Sequence, residues 1–297
     1  MTDEIDLTSD IVGLTKIAPF SRRGFMTASA AAAAGYSLAA GDVRAEAITT
    51  DTNGLTAGAA TTKVMGGEMP LYYAKPSGTQ KPPVILVCME VFGLHEYIRD
   101  VTRRLGKAGA MAVAPDYYFR AGQDLTKINE IPKLMPIVNA KPDAELIGDL
   151  NATVQWAKEQ GGDTERLGII GFCRGGRSVW IYSANNTALR AGVAFYGSLV
   201  DPKEQKTVWP KSAMELAGDM KAPVLGLYGE ADQGIPPAQA DAMRAQLASA
   251  GKAAELKIFP GAPHGFHADY RPSYRKQAAE EAWGDALAWF KTYGVLS

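Results

Sequence analysis

The sequence predicts an α/β fold, a mostly parallel central sheet with helices on both faces, built as a single domain. Three observations predict it. Apolar runs of strand length alternate with amphipathic stretches of helix length from residue 84 to residue 293. The first run, Val84-Ile85-Leu86-Val87-Cys88-Met89, is apolar at every position rather than at every second one, as expected of a strand buried on both faces. No internal repeat or interdomain linker interrupts the alternation, so successive strand-helix-strand units should close right-handedly onto one sheet.

Taken in order, residues 48–60 are small and polar with no apolar period, which predicts a flexible lead-in. Residues 61–65 and 69–74 flank Gly66-Gly67, a hairpin signal. The break at Pro82-Pro83 precedes the strand at 84–89. A helix is expected over 95–107, opened by His95, and a strand over 110–114. A second helix opens after Pro142, with Leu146, Leu150, Val154 and Ala157 spaced for one buried face. Further strands are expected at 167–170, 191–196, 223–228 and 254–259, with a helix at 237–250 between the last two. A closing helix at about 273–293 carries Ala279, Ala282, Trp283, Ala286, Leu287 and Phe290 on one stripe. Segments 115–141 and 197–222 read as long irregular connections, where such a fold builds its site.

Composition narrows the function. The chain has 297 residues, 46% apolar and 21% charged, the balance of a soluble globular protein. Thirty-one basic residues against thirty-two acidic ones leave a net charge of −1, so no global field exists to hold nucleic acid. Two cysteines, Cys88 and Cys173, cannot make a disulfide framework or a four-thiolate zinc site. Any imidazole chemistry must use His95, His264 or His267, and a three-histidine metal site would consume them all; no metal is expected.

Residues 21–27 read S-R-R-G-F-M-T, a small-residue stretch follows from Ala28 to Ala34, and Ala45-Glu46-Ala47 supplies a small-x-small cleavage pattern. This order resembles a twin-arginine export signal. It implies a signal peptide at 1–47, transient contact with the twin-arginine translocation machinery, and a periplasmic or secreted protein. The apolar region is too short and too rich in alanine for a stable membrane anchor. The lead-in at 48–60 and a domain at 61–297 complete the expected organisation.

The most informative stretch is 167–182, L-G-I-I-G-F-C-R-G-G-R-S-V-W-I-Y. An apolar strand runs into G-F-C-R-G and then into a helix, the nucleophile-elbow pattern with cysteine in place of serine. The turn strains the nucleophile, and Gly171 and Gly175 let strand and helix approach closely. Cys173 would sit at a helix N-terminus, where the dipole and unpaired N–H groups favour a thiolate. Downstream, the strand at 223–228 leads into Gly229-Glu230-Ala231-Asp232, and the strand at 254–259 into Pro260-Gly261-Ala262-Pro263-His264. The order nucleophile, acid, base belongs to α/β-hydrolases. His264 would take and return the thiol proton, and Asp232 would fix its tautomer. The backbone N–H of Arg174, next after the nucleophile, would face the oxyanion.

With G-F-C-R-G-G at 171–176, E-V-F-G at 90–93, P-D-Y-Y at 115–118 and H-G-F at 264–266, the sequence resembles the dienelactone hydrolase family over residues 61–293. The resemblance implies cofactor-free hydrolysis of the ester bond of a small lactone that bears a carboxylate, by a triad of Cys173, His264 and Asp232. It makes Glu90 the glutamate that helps switch the thiol to thiolate. A carboxylate at the end of a buried strand independently calls for a partner or a task. The resemblance adds the backbone of Val91 to the oxyanion hole and makes Arg120 the first of two arginines that hold the substrate carboxylate. The second position is Ala268 here, so Arg271 or Arg174 would have to supply that charge. His267 is expected as a loop residue and the protein as a monomer. Three alternatives stand beside this one: a general carboxylesterase of the same fold, a Cys88–Cys173 disulfide in an exported protein without hydrolysis, and a hydrolase-like binding protein without turnover.

Overall fold

The computed structural model describes residues 47–297; the twin-arginine motif and all but the last residue of the cleavage pattern lie outside them. The strands are β1 (Leu55–Val64), β2 (Gly67–Pro76), β3 (Pro83–Cys88), β4 (Met111–Pro115), β5 (Asp163–Phe172), β6 (Leu189–Phe195), β7 (Val224–Gly229) and β8 (Ala254–Phe259). The helices are α1 (Glu96–Lys107), α2 (Ile131–Asn139), α3 (Asp143–Glu159), α4 (Arg174–Asn185), α5 (Pro237–Ser249) and α6 (Lys276–Thr292). The strands make one sheet in the order β1-β2-β4-β3-β5-β6-β7-β8, with helices on both sides. β1 and β2 are antiparallel to each other, and β2 is antiparallel to β4; every other neighbouring pair is parallel.

The apolar runs sit where their composition requires. β3, β4 and β7 are buried at every position, because helices cover both faces and no side chain can alternate to water. Of the two outer strands, β1 largely alternates half-buried with exposed positions, and β8 buries Leu256 and Phe259 and leaves the rest half-buried or exposed.

Two expectations need correction. Residues 55–60 are not a flexible lead-in: they form most of β1, paired with β2 from Leu55↔Pro76 to Val64↔Gly67. Ahead of them the Thr50 carbonyl accepts from Arg103 Nε at 2.7 Å and the Thr50 N–H donates to Asp100. An outer strand of small residues shows little apolar period, so its order comes from ladder hydrogen bonds the sequence does not display. The stretch 115–141 is also not wholly irregular. It holds α2, whose buried Ile131, Leu134, Met135 and Val138 have helical spacing. Pro132 and Pro136 concealed the helix; the first sits in the opening turn, where its missing N–H costs nothing. Residues 197–222 contain only short 3-10 turns at Lys203–Gln205 and Ala217–Asp219.

Buried ion pairs tie these connections to α3. Arg177 on α4 bonds both Asp143 and Asp201 and lies 4.6 Å from the Trp209 ring, so the 197–222 segment is pinned to the sheet side. Arg120 donates two bonds of 2.8 Å to Asp149 and one of 2.9 Å from Nε to the Met65 carbonyl. It thereby staples the β1–β2 turn to α3. Arg120→Ala should lower stability by about 2 kcal/mol, less than the roughly 3–5 kcal/mol of a fully buried broken pair because its side chain keeps some water contact. Urea unfolding checks this; an unchanged midpoint would show the staple to be unimportant.

His267 lies on a loop as expected, yet it is 2% exposed. Its ring packs against Phe195 at 4.8 Å and Phe172 at 5.4 Å, and its Nδ1 is 2.6 Å from the Tyr97 hydroxyl. Burial, helped by the Arg104 charge, lowers its pKa to about 3. Since the unfolded value is near 6.5, the unfolded chain binds the extra proton between the two, so stability present above about pH 6.5 falls as pH drops toward 3. His267→Gln, which retains an acceptor and does not titrate, should flatten the fall in Tm between pH 6.5 and 4. A slope equal to wild type would place the acid sensitivity elsewhere.

Candidate active site

Six parallel strands, β3 to β8, bring their C-terminal ends to one edge. The segments following β3, β5, β7 and β8 carry Glu90, Cys173, Asp232 and His264, so the sequence-predicted groups share that edge. Cys173 stands between β5 and α4 with φ +54° and ψ −116°, a conformation costly for a residue with a side chain. Glycines make the turn possible. A side-chain carbon at Gly171 would lie 2.1 Å from the Gly175 carbonyl oxygen, and one at Gly175 would lie 2.1 Å from that of Cys88. The Cys173 N–H donates to the Phe195 carbonyl at 3.0 Å. The elbow is thus wedged between the ends of β3 and β6.

His264 Nδ1 lies 2.7 Å from Asp232 Oδ2. The other carboxylate oxygen accepts from the N–H groups of Gly234 at 2.9 Å and Ile235 at 3.1 Å, which fixes the acid's plane. Burial by itself would lower the His264 pKa. The charges of Asp232 and Cys173, with hydrogen bonds to both, overcome it and hold the value well above the ordinary range. The charged form of the imidazole is therefore favoured where it lies, between Asp232 and Cys173. Tyr196, at φ +37°, sets its ring 5.0 Å from that imidazole.

Glu90 is fully buried. It accepts from the Tyr270 hydroxyl at 2.8 Å, and its oxygens lie 3.3 Å from His95 Nε2 and 3.4 Å from Arg271 Nη1. Burial raises its pKa, but His95, Arg271 and Tyr270 together bring it below the ordinary carboxylate value. His95 and Tyr270 were not anticipated as site residues. The sequence marks His95 as a helix opener, and it does occupy the N-cap of α1; no motif signals that its ring reaches Glu90.

The four arginine and backbone assignments fare differently. Arg174 opens α4 directly after Cys173, and Val91 follows the end of β3, whose Cys88 and Met89 carbonyl oxygens a side-chain carbon at Gly175 would approach to 2.1 and 2.8 Å. The Arg174 side chain is buried, donating to Asn139 at 3.1 Å and lying 4.2 Å from the Trp209 ring. Arg271 joins the site through Glu90. Arg120 does not join it: its fork is taken by Asp149 and Met65, because the 3-10 turn at Phe119–Ala121 carries it toward α3. Cys88 and Cys173 are both buried and no disulfide joins them, so the disulfide alternative is not realised, and burial pushes the Cys88 thiol pKa up.

The model of the dienelactone hydrolase family matches residues 69–294. A protein of Methylorubrum extorquens, provisionally named carboxymethylenebutenolidase, is 45% identical over 289 residues, 97% of this chain and 98% of its own. A Bradyrhizobium protein provisionally named 2-oxo-3-(5-oxofuran-2-ylidene)propanoate lactonase is 29% identical, covering 74% of this chain and 88% of its own. A crystal structure from Klebsiella pneumoniae, provisionally titled dienelactone hydrolase, has a TM-score of 0.77 and 43% identity over 80% of this chain and 99% of that one. A family model spanning most of the described residues, together with a relative matched almost end to end, establishes that the chain belongs to the dienelactone hydrolase family, a family of hydrolases on the α/β-hydrolase fold.

Proposed function

We propose that this protein hydrolyses the ester bond of a small lactone with Cys173 as nucleophile, His264 as base and then acid, and Asp232 as the group that orients His264. The single observation that carries the reading is a strained elbow cysteine interacting with a half-buried histidine whose other nitrogen is held by a buried carboxylate. The Cys173 thiolate would attack the ring carbonyl, and the oxyanion so formed would accept from the N–H groups of Val91 and Arg174. Collapse breaks the ring C–O bond, and His264 gives its proton to the leaving oxygen. A water molecule then loses a proton to His264 and attacks the thioester, releasing acid and restoring the thiolate. Glu90 would exchange a proton with the thiol on the way to the reactive state. The relative named as a propanoate lactonase supports a lactone. A general carboxylesterase is the second reading, favoured by the engagement of Arg120 elsewhere.

One experiment tests the nucleophile and the part played by Arg120. kcat/KM is measured for two matched lactones, with and without a carboxylate, on wild type, Cys173→Ala and Arg120→Ala. Cys173→Ala should lose at least about a thousandfold on both, the residue coming from binding and the oxyanion hole. Arg120→Ala should leave the ratio between the lactones unchanged. Retained turnover in Cys173→Ala would remove the nucleophile assignment, and a ratio that collapses with Arg120 would restore it as the carboxylate holder.

The export reading also stands as a proposal, supported by Arg22-Arg23 and the small-residue run behind them. Replacing both arginines by lysine keeps the charge and removes the receptor-read pair, so precursor should accumulate in the cytoplasm. An unchanged periplasmic yield in cell fractionation would count against a twin-arginine route.

A further inference from the structure

The segment that follows the expected cleavage pattern is tied to the molecule by its main chain. The Ile48 side chain is exposed, yet its backbone N–H donates to the Asp269 carboxylate. Next along the chain, the Thr50 carbonyl accepts from Arg103 Nε at 2.7 Å and the Thr50 N–H donates to Asp100. Lys107 Nζ then donates to Asp51 and to the Asn53 carbonyl, at 2.6 Å each. Residues 48–53 are therefore laid along α1, and Ile48 is delivered to the loop after β8.

Asp269 is a costly group where it stands. It is buried, as is Asp100, and both lean on Arg104, whose Nη2 donates to Asp269 and Nε to Asp100 at 2.5 Å each. Arg103 serves Asp100 and Glu96. Among the described residues, three carboxylates (Glu96, Asp100 and Asp269) thus share two guanidiniums, and the cluster is one cation short. Burial raises the Asp269 pKa, and Arg104 and the Ile48 N–H only partly oppose it. The other titratable groups facing the Arg104–Asp269 pair are Tyr97 on α1 and His267 and Tyr274 on the loop, all neutral near pH 7. The neighbouring Lys107–Asp51 and Lys276–Glu280 pairs add no net charge.

We propose that Asp269 is a capture site for the α-ammonium that Ile48 gains when the chain is cut between Ala47 and Ile48, and that this ion pair fastens the loop after β8 to α1. Hydrolysis of that peptide bond adds a water molecule. It leaves a carboxylate on Ala47, which departs with the leader, and an ammonium on Ile48. The nitrogen that donated as a neutral amide then donates as a cation, and such charge-assisted bonds are about twice as strong. It also brings the positive charge that the cluster lacks. The loop so held carries His264 and both Tyr270 and Arg271, which bond Glu90. Removal of the leader and bracing of the catalytic loop become one event. This rests on the export reading, which places the cut after Ala47.

The test separates capture from export. A factor Xa site is placed directly before Ile48 in the full-length chain, which is purified folded and then cut, so that Ile48 becomes the first residue. A second form leaves Gly-Gly ahead of Ile48 after the cut, and a third carries Asp269→Asn. In each, the α-amine is titrated by trace acetylation with acetic anhydride from pH 6 to 10, read by mass on the N-terminal peptide. The Ile48 amine should titrate about one pH unit or more above the ordinary value of roughly 7.7–8.0, and the other two forms at that ordinary value. Hydrogen exchange of residues 264–275 should be slower in the chain that starts at Ile48 than in the Gly-Gly form. An Ile48 amine with an ordinary titration, or one matched by the Gly-Gly form, overturns the capture, and equal exchange overturns the fastening. The Gly-Gly form leaves Asp269 intact, so the comparison holds even if Asp269→Asn does not fold. The first residue of the exported protein, read by mass, tests the export reading by itself. Ile48 there supports the proposal, and any other start overturns it in the cell even where the cut chain shows capture.

Discussion

Gly175 sits so near the end of β3 that a side-chain carbon there would come 2.1 Å from the Cys88 carbonyl oxygen and 2.8 Å from that of Met89. On the other flank, a side-chain carbon at Gly176 would meet the Phe195 carbonyl oxygen at 2.5 Å, and the Gly197 backbone lies against the same turn. The first turn of α4 is therefore locked between the ends of β3 and β6. This contact forces Cys173 to φ +54°, and the strain persists because packing on both sides leaves the turn no other path. Glu90 and Val91 follow directly from the strand end that Gly175 approaches.

Charge is then arranged around the wedge in a way that burial would otherwise forbid. Asp232 and Glu90 are 3% and 0% exposed, and an unpaired carboxylate at either position would be expensive. Each is met instead by donors from neighbouring segments. Asp232 receives two backbone N–H groups and His264, and Glu90 receives a hydroxyl, an imidazole and a guanidinium. The two sets differ in purpose: the first raises the proton affinity of its histidine, and the second lowers that of its carboxylate. Farther from the chemistry, Asp149 and Arg177 serve the frame. They hold the β1–β2 turn and the 197–222 segment to α3 and α4, and in doing so they use Arg120, whose charge the family resemblance assigned to substrate.

Much of this was written in local pattern. An all-apolar run has to be a two-sided strand, so β3, β4, β6 and β7 were legible within a residue or two. G-F-C-R-G following such a run has few other structural uses, and the acid and base after β7 and β8 followed from chain order. The parts that escaped depend on partners distant in sequence. β1 takes its order from β2, α2 hides behind two prolines, and Arg120 turns toward Asp149, 29 residues on. His267 lies in a loop by sequence and in a cage of aromatic rings by structure.

The amino-acid sequence by itself determined the alternating sheet and helices, the strained thiol and the order of the three groups around it, because each follows from short-range periodicity, glycine placement and strand ends. Only the tertiary structure decided which charges meet. Arg271 and, from the cap of α1, His95 reach Glu90, while Arg120 turns to Asp149. Long side chains choose among partners across several ångströms, and that choice depends on how separate segments pack, which no local pattern encodes.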